Sequence, residues 1–407
     1  MRWRRQVEGP DKTPLRGRTQ LWGESMVGVV VRGGTSEPLA PLGVPADIAL
    51  APFAARYRVW DFAHATLRNS GLEVLDEQRE SGTGAPPAAK PRPCGRGMRG
   101  AVRPGARLFP ALRAAARVAR EDPGATVVVL VADHILDADL RPVLGRHHDS
   151  EADLGLLCIP AAGAPPGACP LAVDASGAAC LVPDGNAGAS TLAWTGDVVV
   201  RAGLVSHLLD TLADRGPLDD VTLVANLARH RRVIAHDLEG AAAGARRPYW
   251  HEPSTVEAYY AAHMELCTDS PPLDLYDPGW PVIGTSDGLP PAKVVSGEAS
   301  HAGQALDALL GEGAVIRGGS VIRSVVGRGV LVEVGAEIED SLLLDGCRVG
   351  RCARVRRAVV GAGAVIRDGE EIGYDGPAGR PGVRRLVSGL TLVPPGAPAP
   401  HDACGAR

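Results

Sequence analysis

Val27-Gly28-Val29-Val30-Val31-Arg32-Gly33-Gly34 is a short β-branched run that breaks into glycines, the pattern of a buried parallel strand ending in a loop. A second run, Ala125-Thr126-Val127-Val128-Val129-Leu130-Val131, ends in Ala132-Asp133-His134. Helical stretches are predicted between the two strands over 108–120 and after them over 140–151. Strands alternating with helices imply an α/β domain with a mostly parallel, Rossmann-like sheet, whose ligands sit at the carboxyl ends of the strands. Gly33 and Asp133 both fall there. A glycine-, proline- and arginine-rich segment, 81–105, has no period and reads as a long surface loop.

From about Gly311 the character changes. Ala314-Val315-Ile316-Arg317-Gly318-Gly319, Ser320-Val321-Ile322-Arg323 and Cys347-Arg348-Val349-Gly350 set aliphatic residues at six-residue steps between glycines. That spacing predicts a left-handed hexapeptide β-helix, whose coils bury a continuous core only by stacking. Its regularity, and the scarcity of hairpin turn pairs, favour this over a small antiparallel sandwich. The expected division is a leader over 1–25, the α/β domain over 26–265, a linker over 266–300 rich in Pro and Asp, the β-helix over 301–375 and a loose tail over 376–407. Met26, directly before the first strand, is a second possible start.

At 407 residues the chain exceeds one ordinary core. A formal net charge of −4 argues against binding nucleic acid or anionic lipid, and the longest apolar run is far too short to cross a membrane. Eight cysteines without a CxxC pair, and no signal-peptide pattern, lead to the expectation of a cytoplasmic protein.

Three stretches together carry a resemblance: Tyr57-Arg58-Val59-Trp60-Asp61-Phe62 with Asn69-Ser70-Gly71; Leu130-Val131-Ala132-Asp133-His134-Ile135; and Leu273-Asp274-Leu275-Tyr276-Asp277-Pro278-Gly279-Trp280-Pro281 running on to Lys293. In that order ahead of a hexapeptide β-helix, they resemble glucose-1-phosphate adenylyltransferase, and the likeness runs from about Met26 to Tyr374. It implies transfer of an adenylyl group from ATP to glucose-1-phosphate, giving ADP-glucose for glycogen and related α-glucans. It also implies Mg²⁺ as cofactor and assembly as a homo- or hetero-tetramer. By the same resemblance Asp133 is the catalytic and metal-binding aspartate. Glu252 in Tyr249-Trp250-His251-Glu252-Pro253-Ser254-Thr255 stands at the second metal position, Gly33, Gly34 and Gly105 belong to the nucleotide-binding loops, and Gly196 belongs to the substrate-side loop.

The resemblance is also broken at informative places. The family's opening Gly-Gly-x-Gly-Thr-Arg-Leu-x-Pro-Leu reads here Gly33-Gly34-Thr35-Ser36-Glu37-Pro38-Leu39-Ala40-Pro41-Leu42. A carboxylate and a proline replace a neutral residue and the arginine that holds the triphosphate. The lysine of the next motif aligns within Ile48-Ala49-Leu50-Ala51, and a third, sugar-phosphate lysine has no counterpart at Leu181-Val182-Pro183-Asp184. Losing one well-placed donor costs on the order of 100- to 1000-fold in rate. Several together imply a weakened or inactive enzyme, or a non-catalytic regulatory partner of an active paralogue.

Overall fold

The computed structural model describes residues 19–32, 37–76, 108–163, 169–173, 179–181, 192–205, 220–242, 246–284, 288–297, 302–374 and 382–396. The loop predicted over 81–105 lies outside them.

The chain opens with β1 (Thr19–Leu21), which pairs antiparallel with β2 (Glu24–Val31), so part of the expected 1–25 leader belongs to the sheet. Then come α1 (Val59–Asn69), β3 (Glu73–Asp76), α2 (Leu108–Glu121), β4 (Thr126–Val131), β5 (Ile135–Asp137), α3 (Arg141–Asp149) and β6 (Leu154–Pro160). The domain is completed by β7 (Cys169–Val173), β8 (Ala179–Leu181), β9 (Leu192–Arg201), α4 (Asp220–Ala228), β10 (Val233–Asp237), the short helix α5 (Leu238–Ala241), β11 (Tyr249–His251) and α6 (Val256–Met264). The main sheet has the order β1-β2-β4-β9-β6-β10, with β3 beside β2 and β7 beside β9. Five of these strands run parallel. β9 runs against both its neighbours, β4 and β6, which strand-by-strand reading of the sequence does not foresee.

β2 and β4 read as apolar runs because helices cover both faces of the sheet. One face packs Val27, Val29, Val127 and Val129 on Leu108, Leu112, Ala115 and Val118 of α2. The other packs Met26, Val30, Val128 and Leu130 on Ala63 and Leu67 of α1. Gly28 sits where α1 comes close, since a Cβ there would meet Leu67 Cδ1 at 2.9 Å.

In the second half, three parallel sheets of short strands stack coil on coil, as the hexapeptide spacing predicts. After a first coil of 16 residues the pitch is 17: Val325 sits on Leu342 and Leu342 on Val359. Two corners of a coil therefore keep the six-residue step and the third is one residue shorter. At that short corner Arg323, Asp340 and Arg357 take left-handed backbone angles of 42–45°. Buried Ser324 and Ser341 follow the first two. The Ser341 N–H donates to Ser324 Oγ (3.0 Å) and the Ala358 N–H to Ser341 Oγ (3.2 Å), tying successive coils. Stacking reaches further than 301–375. Lys293–Val295, assigned above to the linker, lies on Val315–Arg317, and Thr391–Val393, assigned to the loose tail, lies on Ala358–Val360 with all three residues buried.

The two halves share a core. Leu42, Phe53, Phe62 and Tyr259 pack with Val325, Leu342, Val359 and Leu392 of the coils. Hydrogen bonds add to it, from the Ala362 N–H to the Leu42 carbonyl (3.0 Å) and from the Tyr260 hydroxyl to the Asp340 carbonyl (2.7 Å).

Candidate active site

Asp133 follows β4 directly, at the carboxyl end of the sheet, and is 6% exposed. Its Oδ1 lies 2.8 Å from Nδ1 of His134, whose Nε2 lies 2.9 Å from Oδ2 of Asp197. His134 and Asp197 are buried. Asp197 Oδ1 also accepts from the Val131 N–H (2.8 Å), and Thr195 Oγ1 lies 2.9 Å from Asp197 Oδ2. Burial opposes a charge on the His134 ring. The charge of Asp197 and the hydrogen bonds to Asp133 and Asp197 outweigh it and push the ring up to about 10. His134 is therefore held in its protonated form at neutral pH by the two acidic side chains that flank it.

The antiparallel course of β9 makes this contact. Val198 pairs with Val129, so the start of β9 reaches the carboxyl end of β4. Gly196 supplies the turn that aims Asp197 inward. It lies where the register of β9 on β6 shifts, at φ +105°, a backbone angle that a side chain resists. Gly196 is thus linked to Asp133 only through Asp197 and the His134 ring. Asp197 does more here than any residue singled out from the sequence, and the only signal for it was its place in Thr195-Gly196-Asp197.

Glu252 follows β11, which pairs antiparallel with β5, His251 opposite Ile135. Carried one residue further, that register brings Glu252 beside His134, and the Trp250 ring centroid lies 5.7 Å from that of His134. The two predicted metal carboxylates therefore flank the two-stranded ladder of β5 and β11, Asp133 shortly before β5 and Glu252 directly after β11. Among the described residues no group of three or more His, Cys, Asp or Glu could hold a metal ion. Gly33, Gly34 and Gly105 lie outside the described residues.

A pocket of about 540 Å³ opens at the same end of the sheet, between the ends of β6 and β11, lined by Ile159, Pro160, Tyr249 and Trp250. Arg247 and Glu239, also in its lining, are ion-paired at 3.2 Å. The strap over 273–281 is anchored nearby. Arg246 binds Asp137 of β5 and Asp277 of the strap, each at 2.5 Å, and stacks 5.5 Å from the Trp280 ring. That ion network explains why Asp277 and Trp280 belong to one motif.

Residues 290–393 match the family model described as the GlmU-like C-terminal hexapeptide. Over 406 aligned residues the chain is 28% identical to a glucose-1-phosphate adenylyltransferase of Frankia casuarinae, covering 90% of this chain and 97% of that one. It is 43% identical to the Rhodopirellula baltica protein of the same name over 152 residues, 36% of this chain and 34% of that one. Over 291 residues it is 31% identical to the Nitrosospira multiformis protein of that name, covering 66% of this chain and 67% of that one. The chain belongs to the glucose-1-phosphate adenylyltransferase family.

Ile48 and Ala49, where a lysine motif was expected, are buried in a single helical turn capped by Asp47. Three arginines could have compensated from new directions, and each is engaged. Arg32 pairs with Asp47 (3.8 Å) and lies over the Trp60 ring. Arg56 pairs with Glu312 (3.6 Å), and Arg58 donates to the Leu50 carbonyl (2.9 Å). Lysine itself is scarce: between Lys90 and Lys293 the sequence holds none. Among the described residues, no helix is long and apolar enough to cross a membrane.

Proposed function

We propose that this chain is a divergent adenylyltransferase that keeps the family's architecture but has lost most of its power to transfer an adenylyl group from ATP to glucose-1-phosphate, and that it serves as a binding or regulatory partner of an active paralogue in α-glucan synthesis. The observation that carries this reading is the charge balance at the carboxyl end of the sheet. His134 stands between the carboxyl groups of Asp133 and Asp197, and Arg32, Arg56 and Arg58 each have a partner elsewhere.

In such a transfer a phosphate oxygen of glucose-1-phosphate attacks the α-phosphorus of ATP. A new P–O bond forms as the bond to the β-phosphate breaks and pyrophosphate leaves. Catalysis of this step is mostly positioning and neutralisation of charge, which is where this chain is poorest. Asp133 and Glu252 are hard oxygen donors, and Mg²⁺ commonly takes one or two carboxylates together with substrate phosphates, so the donor set suits that ion in kind. Mg²⁺ held there would neutralise negative charge on the reacting phosphates. His134 would hold the Asp133 carboxylate in place.

The test is pyrophosphate release by the purified chain with ATP, glucose-1-phosphate and Mg²⁺, beside a relative with an intact loop. Several lost cations imply a rate at least about ten-thousand-fold lower. Comparable turnover that disappears in Asp133→Asn would overturn the proposal. Stimulation of a co-expressed paralogue by an otherwise silent chain would support it.

A further inference from the structure

We propose that the pocket beside the edge strand β10, at the opposite end of the sheet from Asp133, binds a small phosphorylated dianion between Arg146 and Arg232. The pocket holds about 380 Å³ and is lined by Arg146, Asp149, Ser150, Arg232 and residues 234–236 of β10. Arg146 lies on α3 and Arg232 directly precedes β10, so two separate elements each bring an arginine to the lining. Neither guanidinium has an ion-pair partner among the described residues. Asp153 accepts from the Arg232 backbone N–H (3.0 Å), and Asp149 is the one acid in the lining.

The field around the pocket is positive beyond these two residues. Arg201 and Arg231 line an adjoining pocket of about 330 Å³ together with Asp153. Arg231 and Arg232 are sequence neighbours, so one basic pair serves both cavities. A guanidinium offers phosphate two parallel N–H donors, and two of them on independent elements form a clamp for a dianion.

The back of the pocket supplies a second, independent feature. His236 lines it, with Nε2 3.1 Å from Nδ1 of His147. His147 is 2% exposed, and its Nε2 is buried with no hydrogen-bond partner. Such an unmade bond opposes folding. Burial is the main cause that holds both rings neutral, pushing His147 down to about 4 and His236 to about 3. Gly155 makes room for the pair, since a Cβ there would lie 2.6 Å from the His236 ring. Of this pair, His236 places a polar ring in the lining beside the two arginines.

The experiment is isothermal titration of the full chain with inorganic phosphate in Mg²⁺-free buffer, repeated with Arg146→Gln/Arg232→Gln, with each single variant, and with Asp133→Asn. Saturable one-to-one binding is expected. The double variant should weaken it at least about tenfold, each single variant by about threefold, and Asp133→Asn should leave it unchanged. Arg232→Lys, which keeps the charge without the fork, should retain part of the affinity. Thermal unfolding without phosphate checks that the exposed substitutions leave the fold intact, and should the double variant misfold, the single variants decide. No saturable binding at millimolar phosphate overturns the proposal. So does binding that survives loss of both arginines, or that is lost in Asp133→Asn instead.

Discussion

The coil stack and the polar chain at Asp133 are both buried, yet they hold themselves together in opposite ways. Each coil repeats its neighbour's solution, aliphatic corner on aliphatic corner, so Leu343 rests on Val326 below and Val360 above and no single contact is unique. The chain from Asp133 through His134 to Asp197 occurs once, and every member depends on the other two. Repetition spreads the energy of a defect, whereas a charged network concentrates it.

Four substitutions or titrations can break or sharpen that contrast. Removing a charge from the network should cost most. Asp197→Ala leaves a buried imidazolium facing Asp133 alone and should destabilise the chain by about 3 to 5 kcal/mol. Chemical denaturation measures this, and a cost below that of a core truncation would show that the network is not a unit. Next comes Leu343→Ala in the middle of the stack, expected to cost about 2 to 5 kcal/mol through lost burial and a cavity.

The third test is pH. His134 is raised in the folded state, so its stabilisation is complete below its ordinary value of 6.5 and is lost as pH rises toward about 10, at roughly 1.4 kcal/mol per pH unit. His147, His236 and His263 are lowered, mainly by burial. Their contribution is therefore complete above 6.5 and is lost as pH falls toward about 4. Unfolding midpoints should peak near neutrality, and Asp197→Asn should flatten the alkaline limb while leaving the acid limb. A fully retained alkaline limb in that variant would falsify the assignment of charge to His134.

The smallest effect is expected at Gly196. Its φ of +105° makes Gly196→Ala costly by about 1 to 3 kcal/mol through backbone strain. Because that bulge also aims Asp197, the variant should lose part of the alkaline limb as well, which a strain effect alone would not produce.

Much of the β-helix was legible in advance because its signal is local: six-residue spacing and glycines specify the coil whatever surrounds it. The one-residue shortening at Arg323, Asp340 and Arg357 was hidden, because a left-handed corner at a non-glycine residue leaves little compositional trace. Asp133 was found through its motif context, and Glu252 through the tryptophan stretch before it. Asp197 was passed over because the direction of β9 is not written in β9 itself. A strand of alternating and apolar residues fits a parallel or an antiparallel neighbour equally well.

The sequence by itself determined the two architectures, since both rest on residue type and spacing along the chain. Only the tertiary structure decided what those residues meet: His134 between two carboxylates, Arg56 on Glu312 of the first coils, His147 against His236 across 89 positions. The reason is physical. The charge state of a buried group is set by neighbours that strand order and direction bring to it, and those come from segments far apart in sequence.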